Sequence, residues 1–138
     1  MPELPDVEAV RRYLIASGVV ESRITGATLG WPRAVVEPSA GEFTRRVTGR
    51  TVLDVGRRAK FLYLPLDTGT LVVHLRMTGN LEVVAPSTPA RTRHSAVFNL
   101  SNGRELRFTD PRRLGKLWLV DDTAPLFDRL GPEPLKAT

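Results

Sequence analysis

The chain has 138 residues, no cysteine and a formal net charge of +5. That length suffices for one domain with its own core, and the lack of cysteine excludes disulfides, thiol catalysis and a cysteine-ligated zinc within it, so neither metal nor cofactor is expected. No apolar run approaches the roughly 20 residues of a membrane span, and the start lacks the basic and apolar regions of a signal peptide; the chain reads as soluble and cytoplasmic, with no membrane partner.

Of the 20 basic residues only Lys60, Lys116 and Lys136 are lysines. Arginine suits planar phosphate recognition better than lysine does. Composition alone leaves a nucleic-acid face and an ordinary solvated surface equally open.

The first element is PDVEAVRRYLIASG, where Val7, Val10 and Leu14 recur at helical spacing, Pro5 suits a first turn and Gly18 a stop. Ile24, Ala27 and Leu29 fit a strand. Ser39 followed by Glu42 forms a capping box for a short helix through Val47, ended by Gly49. From there the pattern turns to β: TVLDVG, KFLYLPL, TLVVHLRM, NLEVVA, SAVFNL, ELRFTD and KLWLV are short, rich in β-branched and aromatic residues and separated by turn signals, which predicts a run of hairpins. Asp67 to Gly69 and Ser101 to Gly103 are the clearest turns, the second with an Asn-Gly pair that favours a two-residue loop. PSTPARTR, residues 86–93, reads as an exposed loop. TAPLFDRLGPEPL predicts a short helix stopped by Gly131, and GPEPLKAT resembles an interdomain linker. The expected fold is α+β, mainly β: a single domain over 1–138 built as a two-layer antiparallel β-sandwich or flattened barrel, with an N-terminal helix and short flanking helices.

Three constellations bear on chemistry. Loss of Met1 would leave Pro2 with a free secondary amine, and an α-amine with a pKa of about 7.7 to 8.0 is partly unprotonated at neutral pH. Such an amine attacks aldehyde-like carbons to give an iminium, an electron sink that permits elimination, and Glu3 beside it would serve as proton donor. The other reading of PELPD is a plain helix lead-in with acids near the positive end. The second constellation is GRRAKFLYL with TLVVHLRMTGNL. Lys60 would contact a phosphate or stand as a solvated cation. His74 alternates with Val72 and Arg76, so the three are expected on one face, opposite Val73, Leu75 and Met77. Met77, at a strand end, is either core or a wedge into stacked bases. The third is RFTDPRRLGKLWL, in which Arg112, Arg113 and Leu114 form either a phosphate clamp with an apolar wedge or a charged turn with one buried leucine.

Taken together and in order, MPELPDVE, RRAKFLYL, HLRMTGNL, SNGRELRFTDPRRLG and LGPEP resemble the N-terminal domain of the formamidopyrimidine-DNA glycosylase and endonuclease VIII family, leaning to the first branch. The resemblance implies a base-excision repair enzyme for oxidised purines such as 8-oxoguanine and formamidopyrimidines, acting on damaged double-stranded DNA. It implies Pro2 as Schiff-base nucleophile, Glu3 and Lys60 as proton donors, and His74 as a phosphate contact. Met77, Arg112 and Leu114 would fill the void left by the flipped base, with Arg113 on the same DNA-binding loop and Asp6 near the base pocket. Leu114 stands where the branch usually has phenylalanine, and Asp6 where it usually has glutamate. The family's helix-two-turn-helix domain and usual cysteine zinc finger are not in these 138 residues, so a C-terminal domain or a second protein is expected as partner. The alternative is a non-catalytic module, derived from that family, that binds DNA or a repair partner.

Overall fold

The computed structural model describes residues 4–76, 78–90 and 93–128. Helix α1 (Leu4–Ala16) is followed by β1 (Ile24–Leu29), a 3-10 turn at Pro32–Ala34, β2 (Val35–Glu37), helix α2 (Ala40–Val47), β3 (Gly56–Arg58), β4 (Phe61–Pro65) and β5 (Thr70–His74). Then come β6 (Asn80–Val84), β7 (His94–Leu100), β8 (Glu105–Thr109), β9 (Lys116–Val120) and the short helix α3 (Ala124–Phe127). The strands form two sheets, one of four in the order β1-β7-β8-β6 and one of five in the order β2-β9-β5-β4-β3. The expected sandwich is present and does not close into a barrel. One pairing departs from the antiparallel rule, since β2 runs parallel to β9.

The core lies between the sheets, where Phe43, Phe98, Phe108, Leu14, Leu62, Leu64, Leu71 and Leu117 are buried. Each such side chain contributes about 2 kcal/mol by leaving water. The two long helices close the open sides: α1 packs against β6 and β3, one edge strand from each sheet, and α2 against β1 and β2, the other two edges. Edge strands left bare would invite pairing with other chains. Here Tyr13 donates its hydroxyl to the Val83 carbonyl at 3.3 Å and accepts from the Val83 amide at 2.8 Å, while Arg11 Nε donates to the Val55 carbonyl at 3.1 Å. Ser39 accepts from the Glu42 amide at 3.3 Å, the cap that opens α2.

Several sequence expectations need correction. TVLDVG is not a strand: it makes only isolated bridges, Arg23 with Thr51 and Val52 with Leu66, and β3 begins at its last residue. Asp54 is the reason, because its carboxylate accepts the next amide, Val55 N, at 2.8 Å and breaks the ladder. The Ser101–Gly103 turn is a three-residue loop, with Leu100 N donating to the Arg104 carbonyl at 2.9 Å and Gly103, not Asn102, at positive φ (+86°). Nor is the β region a run of sequential hairpins, because β6 pairs with β8 and not with β7. The chain changes sheet three times, after β1, after β5 and after β8, and the last two crossings carry the candidate site. Finally, the face of β5 that carries Val72 and His74 is apolar around Val72: Val72 is paired with Trp118, and Phe61, Tyr63, Trp118 and Phe127 cluster with ring centroids 5.5 to 5.6 Å apart beneath α3. Arg76 lies beyond the strand, since β5 ends at His74 and Arg76 turns left-handed at φ +58°. Gly131 lies outside the described residues.

Candidate nucleic-acid interface

The last two sheet crossings, residues 75–79 and 110–115, are bound to each other by one carboxylate. Asp110 is 2% exposed. Its Oδ1 accepts a short hydrogen bond from the Thr78 hydroxyl and another from Arg112 N at 3.1 Å, and its Oδ2 accepts from Leu114 N at 2.8 Å and Gly115 N at 2.6 Å. Burial alone would raise its pKa, but these donors from Thr78, Gly115, Arg112 and Leu114 outweigh it and hold the carboxyl below its ordinary value. Arg113 N donates to the Asp110 carbonyl at 3.1 Å. Asp-Pro marks a turn in the sequence; the wrapping of five successive residues around the aspartate is not written there. Gly115 is required where the loop re-enters β9, since a Cβ there would meet Phe108 Cζ at 2.4 Å and the His74 carbonyl oxygen at 3.1 Å.

Held this way, the tip turns Arg112 and Leu114 outward, Leu114 being 39% exposed. Arg113 turns the other way, its guanidinium 4.3 Å from the ring centroid of Trp31, which Arg33 also approaches at 5.9 Å.

Beside the crossings runs a row set by register: Phe61 on β4, His74 on β5 and Lys116 on β9. Lys60 stands at the head of that row in the two-residue loop between β3 and β4, where Ala59 takes the left-handed φ of +54°. His74 packs edge-on against Phe61, with ring centroids 4.7 Å apart, and its Nδ1 accepts from Arg76 N at 3.1 Å. Burial, helped by the charges of Arg76 and Lys60, pushes the imidazole down to about 4. At neutral pH it is therefore uncharged, with Nδ1 as acceptor and Nε2–H left to donate.

A third group fastens α1 to the Lys60 hairpin. Glu8 Oε1 accepts from Arg57 Nε at 3.1 Å, and its Oε2 accepts from Arg11 Nη1 at 2.9 Å and Arg12 Nε at 3.1 Å. Arg57 continues to the Ala59 carbonyl at 3.0 Å. Burial acts to raise the Glu8 pKa, but the three guanidiniums prevail and lower it. Sequence reasoning missed this pair and Trp31. The signal for Glu8 was a pair of arginines three and four residues on; for Arg57 and Trp31 there was none, because their partners are 49 and about eighty positions away.

Of the residues singled out from sequence, the fold brings Lys60, His74, Arg112, Arg113 and Leu114 to one end of the sandwich. Asp6 is exposed in the first turn of α1. Pro2, Glu3 and Met77 lie outside the described residues.

The chain is similar to known proteins in sequence and in fold. Residues 1–117 match the family model described as formamidopyrimidine-DNA glycosylase N-terminal domain. The chain is 49% identical over 138 residues to a formamidopyrimidine-DNA glycosylase of Herpetosiphon aurantiacus, covering 98% of this chain and 50% of the relative. It is 43% identical over 141 residues to one of Pelotomaculum thermopropionicum, covering 99% and 51%. The chain thus spans about half the length of the curated relatives it matches. Among solved structures it is similar to the Lactococcus lactis Fpg protein in complex with FAPY-dG-containing DNA, with a TM-score of 0.83, 28% identity and coverage of 93% of this chain and 48% of that one. The same protein bound to abasic-site DNA also gives a TM-score of 0.83, covering 93% and 47%.

Proposed function

The chain belongs to the formamidopyrimidine-DNA glycosylase family, and from that premise we propose that it is the N-terminal catalytic domain of a base-excision repair glycosylase and abasic-site lyase for oxidised purines in duplex DNA. The observation that carries this reading is the clasp of Thr78 and Asp110, which presents Arg112 and Leu114 at the same end of the sandwich as Lys60 and His74. The damaged nucleotide leaves the stack, as chemistry on a base requires. The Pro2 nitrogen attacks the sugar C1′, the base departs with its bonding electrons and a proton, and the ring opens to a Schiff base. Glu3 supplies the proton to the sugar oxygen. The iminium then acidifies the neighbouring carbon, so β elimination expels the 3′ phosphate and δ elimination the 5′ phosphate, with Lys60 as proton donor and phosphate contact.

A neutral His74 offers Nε2–H to a phosphate oxygen without setting a buried cation beside the charge of Lys60. Leu114 enters the vacated stack together with Met77, and Arg112 faces the orphaned base. Asp6 stands near the base pocket. The setting is the bacterial cytoplasm at the nucleoid, since the curated relatives are bacterial.

Borohydride trapping on a duplex with one abasic site tests this, with the intact mass of the protein measured on the same sample. A covalent adduct on protein lacking Met1, abolished in Pro2→Gly, supports the reading. A free Pro2 with no adduct but retained DNA binding would overturn it in favour of a non-catalytic DNA-binding module.

A further inference from the structure

Three consecutive residues at the tip of the 110–115 crossing point in divergent directions: Arg112 and Leu114 outward, Arg113 back onto Trp31. Arg113 holds a left-handed backbone, φ +56°, that side chains other than glycine adopt only under constraint. What constrains it is on both sides. The backbone is fastened to Asp110, and the guanidinium is laid over the indole at 4.3 Å.

The mount for that indole is rigid. Trp31 N donates to the Ser95 carbonyl on β7 at 3.1 Å, and Ala34, fully buried, returns a hydrogen bond to the Trp31 carbonyl at 2.9 Å. Gly30, just before it, has no room for a side chain, since a Cβ would lie 2.1 Å from the His94 carbonyl oxygen. Pro32, just after it, fixes the entry to the 3-10 turn. Trp31 is thus a fixed plate on the four-stranded sheet, and Arg113 is the one tip residue that reaches it.

We propose that Trp31 and Arg113 are positioning residues, whose stack fixes the hand of the tip so that Arg112 and Leu114 face outward together and open the base pair at the lesion. This rests on the DNA-repair reading above. Arg113, on this account, works through Trp31 and not as a phosphate clamp. A guanidinium held face-on to an indole would forfeit that contact by turning to the duplex. Without the stack the left-handed residue relaxes, and Arg112 and Leu114 no longer project side by side.

The test is a double-mutant cycle of Trp31→Leu and Arg113→Ala, read on a duplex carrying a tetrahydrofuran lesion beside 2-aminopurine, whose fluorescence rises on unstacking. Each single variant should lower the opening signal about tenfold, the double variant should be no worse than either, and the salt dependence of binding should stay as in wild type. Arg113→Lys, still a cation over the ring, should recover part of the signal. In a Trp118→Phe background, where Trp31 is the sole indole, Arg113→Ala should change the Trp31 emission in the absence of DNA. Trp31→Phe serves if Trp31→Leu fails to fold. A salt slope lowered by about one in Arg113→Ala, with Trp31→Leu neutral, would make Arg113 a phosphate contact and overturn the proposal. Additive losses, or unchanged Trp31 emission, would overturn it too. A wild-type protein that neither binds nor opens the lesion duplex would instead sink the repair reading itself.

Discussion

Replacing Asp110 with alanine withdraws one acceptor from four donors. Gly115 N sits at a buried position, so stranding it costs about 1 to 3 kcal/mol. Arg112 and Leu114 are exposed and their amides can turn to water, so each loses only the net worth of a charge-assisted bond, about 1 kcal/mol or less. The Thr78 hydroxyl can rotate, and the relief of no longer burying a carboxylate offsets part of the loss. Together these give roughly 3 kcal/mol, which for a domain of this size lowers Tm by roughly 10 °C. Asp110→Asn should cost about half as much, because the amide can keep its oxygen toward Leu114 N and Gly115 N and offer its NH2 to the Thr78 oxygen. The pH dependence follows from the depressed pKa of Asp110. A carboxyl lower in the folded than in the unfolded chain contributes stability fully present above the unfolded value near pH 4, and lost as pH falls through the folded one. Wild type should therefore lose stability below pH 4 more steeply than Asp110→Asn. Thermal and urea unfolding, with an unchanged urea slope, measure both effects; a Tm within 2 °C of wild type for Asp110→Ala would refute the assignment of Asp110 as the clasp between the crossings.

Gly115→Ala should destabilise by about 2 kcal/mol, since the new methyl meets the buried Phe108 ring with nowhere for it to move, and an unchanged urea midpoint would contradict that packing. Glu8→Gln should cost about 1 to 2 kcal/mol, because the Arg57 side chain is only 8% exposed and keeps its charge when its carboxylate partner is neutralised; Arg57→Met in the same background should recover part of the loss in urea melts. His74 has a folded pKa of about 4 against an ordinary 6.5. The unfolded chain then takes the proton first, so the stability His74 confers is full above pH 6.5 and is lost as pH falls toward 4. His74→Gln should flatten the urea midpoint between pH 6.5 and 4, and parallel profiles for the two proteins would exclude the assignment.

The strands were legible because their apolar residues alternate locally, and the two long helices because spacing and caps are local too. What escaped is what depends on distant partners. TVLDVG has the composition of a strand, yet one aspartate satisfies the next backbone amide and ends the ladder. Alternation extended the strand to Arg76, but β5 ends at His74 and Arg76 is left-handed, and no residue-type preference announces an arginine there. Sheet order was not readable either, because β6 and β7 are neighbours in sequence and flank β8 in space. At the candidate site Lys60, Arg112 and Leu114 were picked out from type and position, and the fold sets all three on loops at one end of the sandwich. Those that aim them, Asp110, Trp31 and the Glu8–Arg57 pair, act through contacts of fixed geometry, which sequence spacing does not encode.

Among the described residues four non-glycine ones have positive φ, and three of them, Ala59, Arg76 and Arg113, sit on the turns of the candidate interface. Each is held by a neighbour: Arg57 donates to the Ala59 carbonyl, Arg76 N donates to His74, and Arg113 N donates to Asp110. A left-handed L-residue costs about 1 to 2 kcal/mol that glycine would avoid. Strain of that size, concentrated at one face, is the pattern expected where a side chain is kept for function and not for stability. Arg76 allows the cleanest separation of the two. Arg76→Gly relieves the backbone and costs the extra freedom of glycine in the unfolded chain, about 1 kcal/mol each way, so Tm should hold or rise slightly. It also removes one of the charges that depress His74, whose pKa should rise from about 4 while staying below 6.5, because burial is the larger cause. Under the repair reading, affinity for lesion-containing duplex should fall and its salt slope should decrease by about one. A variant that melts several degrees lower would show that Arg76 is there for packing, and the link between strain and function at this face would fail with it.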